Sequence, residues 1–168
     1  MVRITEVTNA EDVRRAQVLL REFTPHQREH YVEQLDTVIR YFDLPAYEKE
    51  VSDLHAYYPP PRGCVLLATD HEEAAGVICL RPMDEETCEM KRLFVPIAHR
   101  RKGIAQALCA TLIDTARQKG YTTMRLDTGA FMTEPQALYR KLGFTYMPVP
   151  ESVSEELRAQ LVFMQLHL

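Results

Sequence analysis

The feature of this sequence that most directly suggests chemistry is a helix that begins on cations. Residues 99–105 read His99-Arg100-Arg101-Lys102-Gly103-Ile104-Ala105, and Ile104, Leu108 and Leu112 then recur at helical spacing. A helix N-terminus carries partial positive charge and favours Asp or Glu. Three cations there are unfavourable unless an anion fills the turn. With an anion present, free backbone N–H groups, the helix dipole and the Arg and Lys side chains all act on the same negative charge. Gly103 and Ala105 present no bulk that would block close approach. The pattern points to a phosphate or pyrophosphate. Neither G-x-x-x-x-G-K-[ST] nor G-x-G-x-x-G occurs in the chain. The competing reading is a solvated basic turn, and the small residues spaced after Arg100 weigh against it.

The turn is held between a strand and a helix. Lys91 to Val95 is a short apolar run that Pro96 closes, because proline cannot continue a ladder. The helix from Ile104 is stopped by Gly120. Upstream, VRITEV (Val2 to Val7) alternates as a strand, and Thr8 or Asn9 can cap a helix carrying Val13, Ala16, Leu19, Leu20 and Phe23. Thr24-Pro25 predicts a break. A second helical region follows at about 27–42 and a further one at 47–58, ended by the proline triplet 59–61. Residues 64–69 and 75–80 read as a hairpin, and 87–95 as the strand feeding the basic turn. Beyond the long helix come a strand at 122–128, a helix from Pro135 to about Leu142, and strands at 144–147 and 161–167 with a helical turn between them. The order predicts a mixed α/β domain with a crossover helix after the fourth strand.

Composition narrows the class. The 168 residues fit one domain spanning 1–168. A net charge of −4 without a long basic block argues against nucleic acid as partner. Cys64, Cys79, Cys88 and Cys109 form no C-x-x-C pair and sit in apolar runs, as reduced core thiols of a cytoplasmic protein do. His26 and His30 are spaced i, i+4 but lack the HExxH glutamate and a third ligand, so no metal is expected. No 18-residue apolar stretch or signal-peptide pattern is present, which predicts no membrane association.

Arg100-x-x-Gly103-x-Ala105 resembles the [Q/R]-x-x-G-x-[G/A] signature of the GNAT superfamily of N-acetyltransferases, and the likeness runs from about Pro60 to Phe144. The resemblance implies the GNAT fold: a central mixed, mostly antiparallel sheet flanked by helices, whose fourth and fifth strands splay apart. It implies acetyl-CoA as acyl donor, its pantetheine arm entering that gap. Cofactor contacts are then expected from Leu93, Phe94 and Val95, from Arg100, Arg101, Lys102, Gly103, Ile104 and Ala105, and from Thr128. The segment Ala137-Leu138-Tyr139 with Gly143-Phe144 is similar to the family's A-x-x-x-Y-x-x-x-G-F stretch, compressed here, and makes Tyr139 the candidate general acid. A phenol of pKa about 10 can protonate a leaving thiolate whose thiol is near about 8.5. Glu89, on the incoming strand, resembles the glutamate with which some members deprotonate the acceptor. It could equally bind the amine or pair with Lys91.

The reading that follows is an acetyl-CoA-dependent N-acetyltransferase acting on the primary amine of a small molecule or amino acid, with a homodimer possible. Two alternatives stay open: an acyl-CoA-binding module without catalysis, and a protein or peptide N-acetyltransferase. The acceptor helices carry no readable motif, and the sequence does not choose among acetyl, propionyl and succinyl donors.

Overall fold

A computed structural model describes residues 1–168. The chain runs β1 (Val2–Glu6), α1 (Ala10–His30), a 3-10 turn (Val32–Gln34), α2 (Leu35–Tyr41), α3 (Leu44–Ser52), α4 (Leu54–Tyr57), β2 (Cys64–Asp70) and β3 (Glu73–Pro82). It continues through β4 (Thr87–Phe94), α5 (Ile104–Gln118), β5 (Thr123–Gly129), α6 (Thr133–Lys141), β6 (Thr145–Met147), α7 (Glu155–Arg158) and β7 (Leu161–His167). The strands form one seven-stranded sheet in the order β1-β2-β3-β4-β5-β7-β6. Every pair is antiparallel except β4 and β5, which α5 connects as a crossover. No helix is long and apolar enough to cross a membrane.

Both faces of the sheet are covered, and strand alternation divides the core in two. On β2, Cys64, Leu66 and Ala68 join the cluster under α5, while Val65 and Leu67 join the cluster under α1 to α4. The first helix departs from expectation. Asn9 caps it, accepting from Asp12 N–H at 2.9 Å, but it passes through Pro25 and ends only at His30. Proline removes the bond that residue 25 would give Arg21. The buried stripe Ala16, Leu19, Leu20, Phe23 and Thr24 holds the helix on the sheet across that gap. The region expected at 27–42 is accordingly shortened to α2, and that at 47–58 divides into α3 and α4, with Asp53 capping the second through Ala56 N–H at 3.2 Å.

Two local features shape the site. A Cβ on Gly76 would meet Leu108 Cδ1 at 2.8 Å and Ile104 Cγ2 at 3.1 Å. Glycine there lets the start of α5 press against β3, which fixes the basic turn relative to the sheet. The second feature is a bulge on β4. Val77 pairs with Phe94 and Cys79 with Lys91, so two steps on β3 oppose three on β4. Arg92 is the extra residue, with φ of 59°. Regular alternation would place Arg92 beside Met90 on the α5 face. The bulge turns it to the other face, against Glu50, Phe42 and Tyr47.

Candidate active site

β4 and β5 pair over only three positions, Thr87 with Thr123, Cys88 with Met124 and Glu89 with Arg125. Beyond them the strands part. Residues 90–93 and 126–129 face an opening in the middle of the sheet. A cavity of about 780 Å³, counting the space open to solvent, fills it. Met90 to Leu93 form one wall and Leu126 to Gly129 the other. Thr37, Val38 and Tyr41 of α2 close one face of the sheet, and Pro135 and Tyr139 of α6 close the opposite one. The cavity therefore passes through the sheet, with access to side chains from both layers.

The basic turn lies beyond the open end of β4. Arg100 donates from Nε to Val95 O at 2.9 Å, and its Nη2 is 2.6 Å from His26 Nε2. Burial and then the Arg100 charge push the His26 imidazole below its ordinary range, so it stands beside the guanidinium as a neutral acceptor. Arg101 and Gly103 both have positive φ, 60° and 76°. The first helical bond runs from Ala107 N–H to Gly103 O at 3.0 Å, and no side chain caps α5. The N–H groups of residues 101–106 therefore have no acceptor within the chain. Nothing lies within 4 Å of a Cβ built on Gly103. Open space, unpaired donors and a helix N-terminus fit a diphosphate. Lys102 is turned aside to Asp70, at 3.0 Å. Ile104 is buried in the core under α5, and Ala105 packs partly against it.

The remaining expected cofactor residues divide. Leu93 and Thr128 line the cavity on opposite walls, Thr128 with its hydroxyl 3.3 Å from Met132 Sδ. Phe94 is buried against Phe23 and His26 with ring centroids 5.6 and 5.7 Å away. Val95 is buried and contributes its carbonyl to Arg100. These two residues brace the turn.

Tyr139 reaches the cavity from α6. Its ring packs edge-on to Phe144, with centroids 5.9 Å apart. Tyr41, Tyr47, Tyr58, Tyr121 and Tyr146 each give their hydroxyl to an acceptor in the chain; Tyr139 does not. Burial pushes its phenol well above the ordinary range. It stays protonated at neutral pH, a donor without an acceptor in the chain at the cavity wall.

Glu89 lies elsewhere. It is buried on β4, with Lys91 Nζ at 2.9 Å and Arg81 Nη2 at 3.1 Å from its two oxygens. Burial alone would raise its pKa; the Lys91 and Arg81 charges overcome this and hold it low. It does not line the cavity, whereas its partner Lys91 does. Two further groups in the cavity were not singled out in the sequence. Arg92 is paired to Glu50 through two bonds of 2.9 and 3.0 Å. Asp127 of β5 accepts from the Tyr41 hydroxyl at 2.6 Å. Adjacent Lys91 and Arg92 carried a signal, since neighbours on a regular strand point to opposite faces and one would be buried in the core unless the strand bulged. For Asp127 the signal was alternation: Met124 and Leu126 face one side of β5, and Arg125 and Asp127 the other.

The sequence pattern of the acetyltransferase (GNAT) family matches residues 21–144. The chain belongs to that family. Among curated proteins it is 39% identical over 101 residues to human N-acetyltransferase 8, covering 56% of this chain and 44% of that protein. It is 32% identical over 112 residues to human N-acetylaspartate synthetase, covering 66% of this chain and 37% of that protein. The chain thus spans less than half the length of these relatives. Crystal structures of GNAT-type fold resemble it over nearly its whole length. An acetyltransferase from Streptococcus agalactiae gives a TM-score of 0.75 at 18% identity, covering 99% of this chain and 98% of that one. PaiA N-acetyltransferase from Thermoplasma acidophilum, solved in complex with coenzyme A, gives 0.73 at 17% identity, covering 100% and 99%. The GNAT fold expected from the signature turn is the one observed, including the mostly antiparallel sheet and the parted fourth and fifth strands.

Proposed function

We propose that this protein is an acetyl-CoA-dependent N-acetyltransferase acting on the primary amine of a small molecule, with amino acids the foremost class. One observation carries the reading: Tyr139 stands in the wall of the strand gap, and the chain that leaves β4 at that gap runs into a turn whose N–H groups, residues 101–106, are unpaired. The donor thioester supplies an activated acetyl carbonyl. The turn fits the diphosphate of such a donor, and the unpaired edges of β4 and β5 offer backbone groups to an extended arm. Tyr139 then serves as hydrogen-bond and proton donor to the departing sulfur. Glu89 acts through Lys91, holding its ammonium at the cavity wall. Lys91 has three N–H donors, of which Glu89 takes one, and the others can meet an acceptor carboxylate. A relative whose name gives N-acetylaspartate as its product supports an amino-acid acceptor. Four free, buried thiols, with Cys64 pushed up by burial to about 12, suit a reducing compartment, and we place the protein in the cytoplasm on that ground.

The test is release of CoA thiol from acetyl-CoA against amino acids, polyamines, aminoglycosides and peptides, in the parent and in Tyr139→Phe. Phenylalanine keeps the ring and its packing on Phe144 and removes only the donor. General acids contribute about 10²–10⁴, and a thiolate is already a fair leaving group. The expected fall in kcat is therefore at the weak end, at least roughly tenfold, with CoA affinity changed by less than about 1 kcal/mol. Full turnover in Tyr139→Phe would reduce Tyr139 to a packing residue. CoA binding without turnover of any amine would make the protein a binding module.

A further inference from the structure

The cavity contains a carboxylate that no part of the N-acetyltransferase reading uses. Asp127 stands on β5 at the level where the two strands have parted, on the face of the sheet covered by α2. One of its oxygens accepts from Tyr41 at 2.6 Å, and the other meets no donor of the chain. A carboxylate accepts about four hydrogen bonds, and Asp127, half-buried in the cavity wall, has one partner in the chain. The walls here include Phe23, Leu126, Phe131 and Met132. The cations nearby pair with other carboxylates and not with Asp127: Arg92 with Glu50, and Lys91 and Arg81 with Glu89. A positively charged guest is what the Asp127 carboxylate lacks.

We infer that Asp127, held in place by Tyr41, is the subsite that takes the ammonium group of the acceptor. The assignment rests on the N-acetyltransferase reading and adds a residue to it. Tyr41 suits this supporting part. Burial, reinforced by the neighbouring Asp127 charge, keeps its phenol protonated, so it always donates and never competes for the amine. The placement is also separate from the sulfur side. Tyr139 packs in the core under α5, whereas Asp127 faces α2, so acceptor and leaving thiolate are met from opposite faces of the sheet. Glu89 cannot take this part directly, because each of its oxygens already faces a cation.

The experiment follows CoA thiol release with glycine, L-aspartate and putrescine in the parent, Asp127→Asn and Tyr41→Phe, with the thermal shift given by CoA measured on each. Asparagine keeps an acceptor for the Tyr41 hydroxyl and removes the charge. Asp127→Asn should raise the amine KM at least roughly tenfold, the loss of one charged hydrogen bond, and leave the CoA shift intact. A KM within about twofold of the parent on every amine turned over, a factor below half of one ordinary hydrogen bond, would overturn the assignment and leave the N-acetyltransferase reading standing. If the parent turns over none of the three amines, the small-amine reading fails and the assignment with it. If Asp127→Asn also loses the CoA shift, Tyr41→Phe decides. A raised amine KM with the CoA shift kept supports the subsite, and an unchanged KM overturns it.

Discussion

Gly103→Asp should fold as the parent does and lose the rise in melting temperature that CoA gives. In the parent, CoA at about 100 times its dissociation constant adds roughly 2.7 kcal/mol, or about 5–11 °C for a domain of this size. Gly103 has φ of 76°, so an aspartate there is strained by about 1–2 kcal/mol. The new side chain meets open space, with nothing within 4 Å of its Cβ. Its carboxylate also lies at a helix N-terminus that has no cap, where negative charge is favourable. Strain and capping largely offset each other in the free protein. In the complex they do not, because the carboxylate occupies the donors meant for the diphosphate and repels it. CoA affinity should fall at least roughly a hundredfold, about 2.7 kcal/mol, with the unliganded melting temperature nearly unchanged. Thermal scans with and without CoA check it. A variant that responds to CoA like the parent would remove the turn from the phosphate site.

How much of this could be read in the sequence depends on whether the interaction is local. The basic turn was legible because its signal, three cations at the start of an amphipathic helix, lies within one short stretch. β2 and β3 were legible because both their faces are buried and their apolar runs are continuous, and β1 because it alternates. Tyr139 could be picked out from the residues around it, and the structure places it at the cavity. Pro25 misled, because the sequence shows the lost hydrogen bond but not the buried stripe that carries α1 past it.

The pairings on the α2 side of the cavity were harder to read, for the opposite reason. Tyr41 and Asp127 are 86 residues apart and Glu50 and Arg92 are 42 apart, so neither pair leaves a short-range pattern. The bulge that swings Arg92 across the sheet adds one residue to β4; two adjacent cations hint at it, but alternation does not say which of them changes face. The pairing of Glu89 with Lys91, one of the readings the sequence left open, is observed. What alternation does not show is that Arg81 of the neighbouring strand closes on Glu89 from the other side.

The Arg92–Glu50 pair gives the second large effect, on folding. Both side chains are nearly buried, at 12% exposure each, and Glu50 also accepts the Tyr58 hydroxyl. Burial by itself would raise the Glu50 pKa; the Arg92 bonds and charge overcome that and keep it below the usual range, and Arg92 is correspondingly held protonated. Removing one partner leaves an uncompensated buried charge. Arg92→Met should therefore lower the unfolding free energy by about 3–5 kcal/mol, measured by urea unfolding at pH 7. Arg92→Met with Glu50→Gln should recover more than half of that loss, since glutamine still accepts from Tyr58 and no charge remains. The pH dependence has a definite sign. A carboxylate whose folded pKa is depressed contributes its full stability above the unfolded value of about 4.3 and loses it as pH falls below that, through the folded pKa. Glu50 and Glu89 both act this way, so the parent should weaken steeply below about pH 4.3. The double variant loses the Glu50 share of that slope and keeps the rest, Glu89 included. If Arg92→Met costs less than about 1 kcal/mol, water already reaches the pair and the bulge is held by packing on Phe42 and Tyr47 instead.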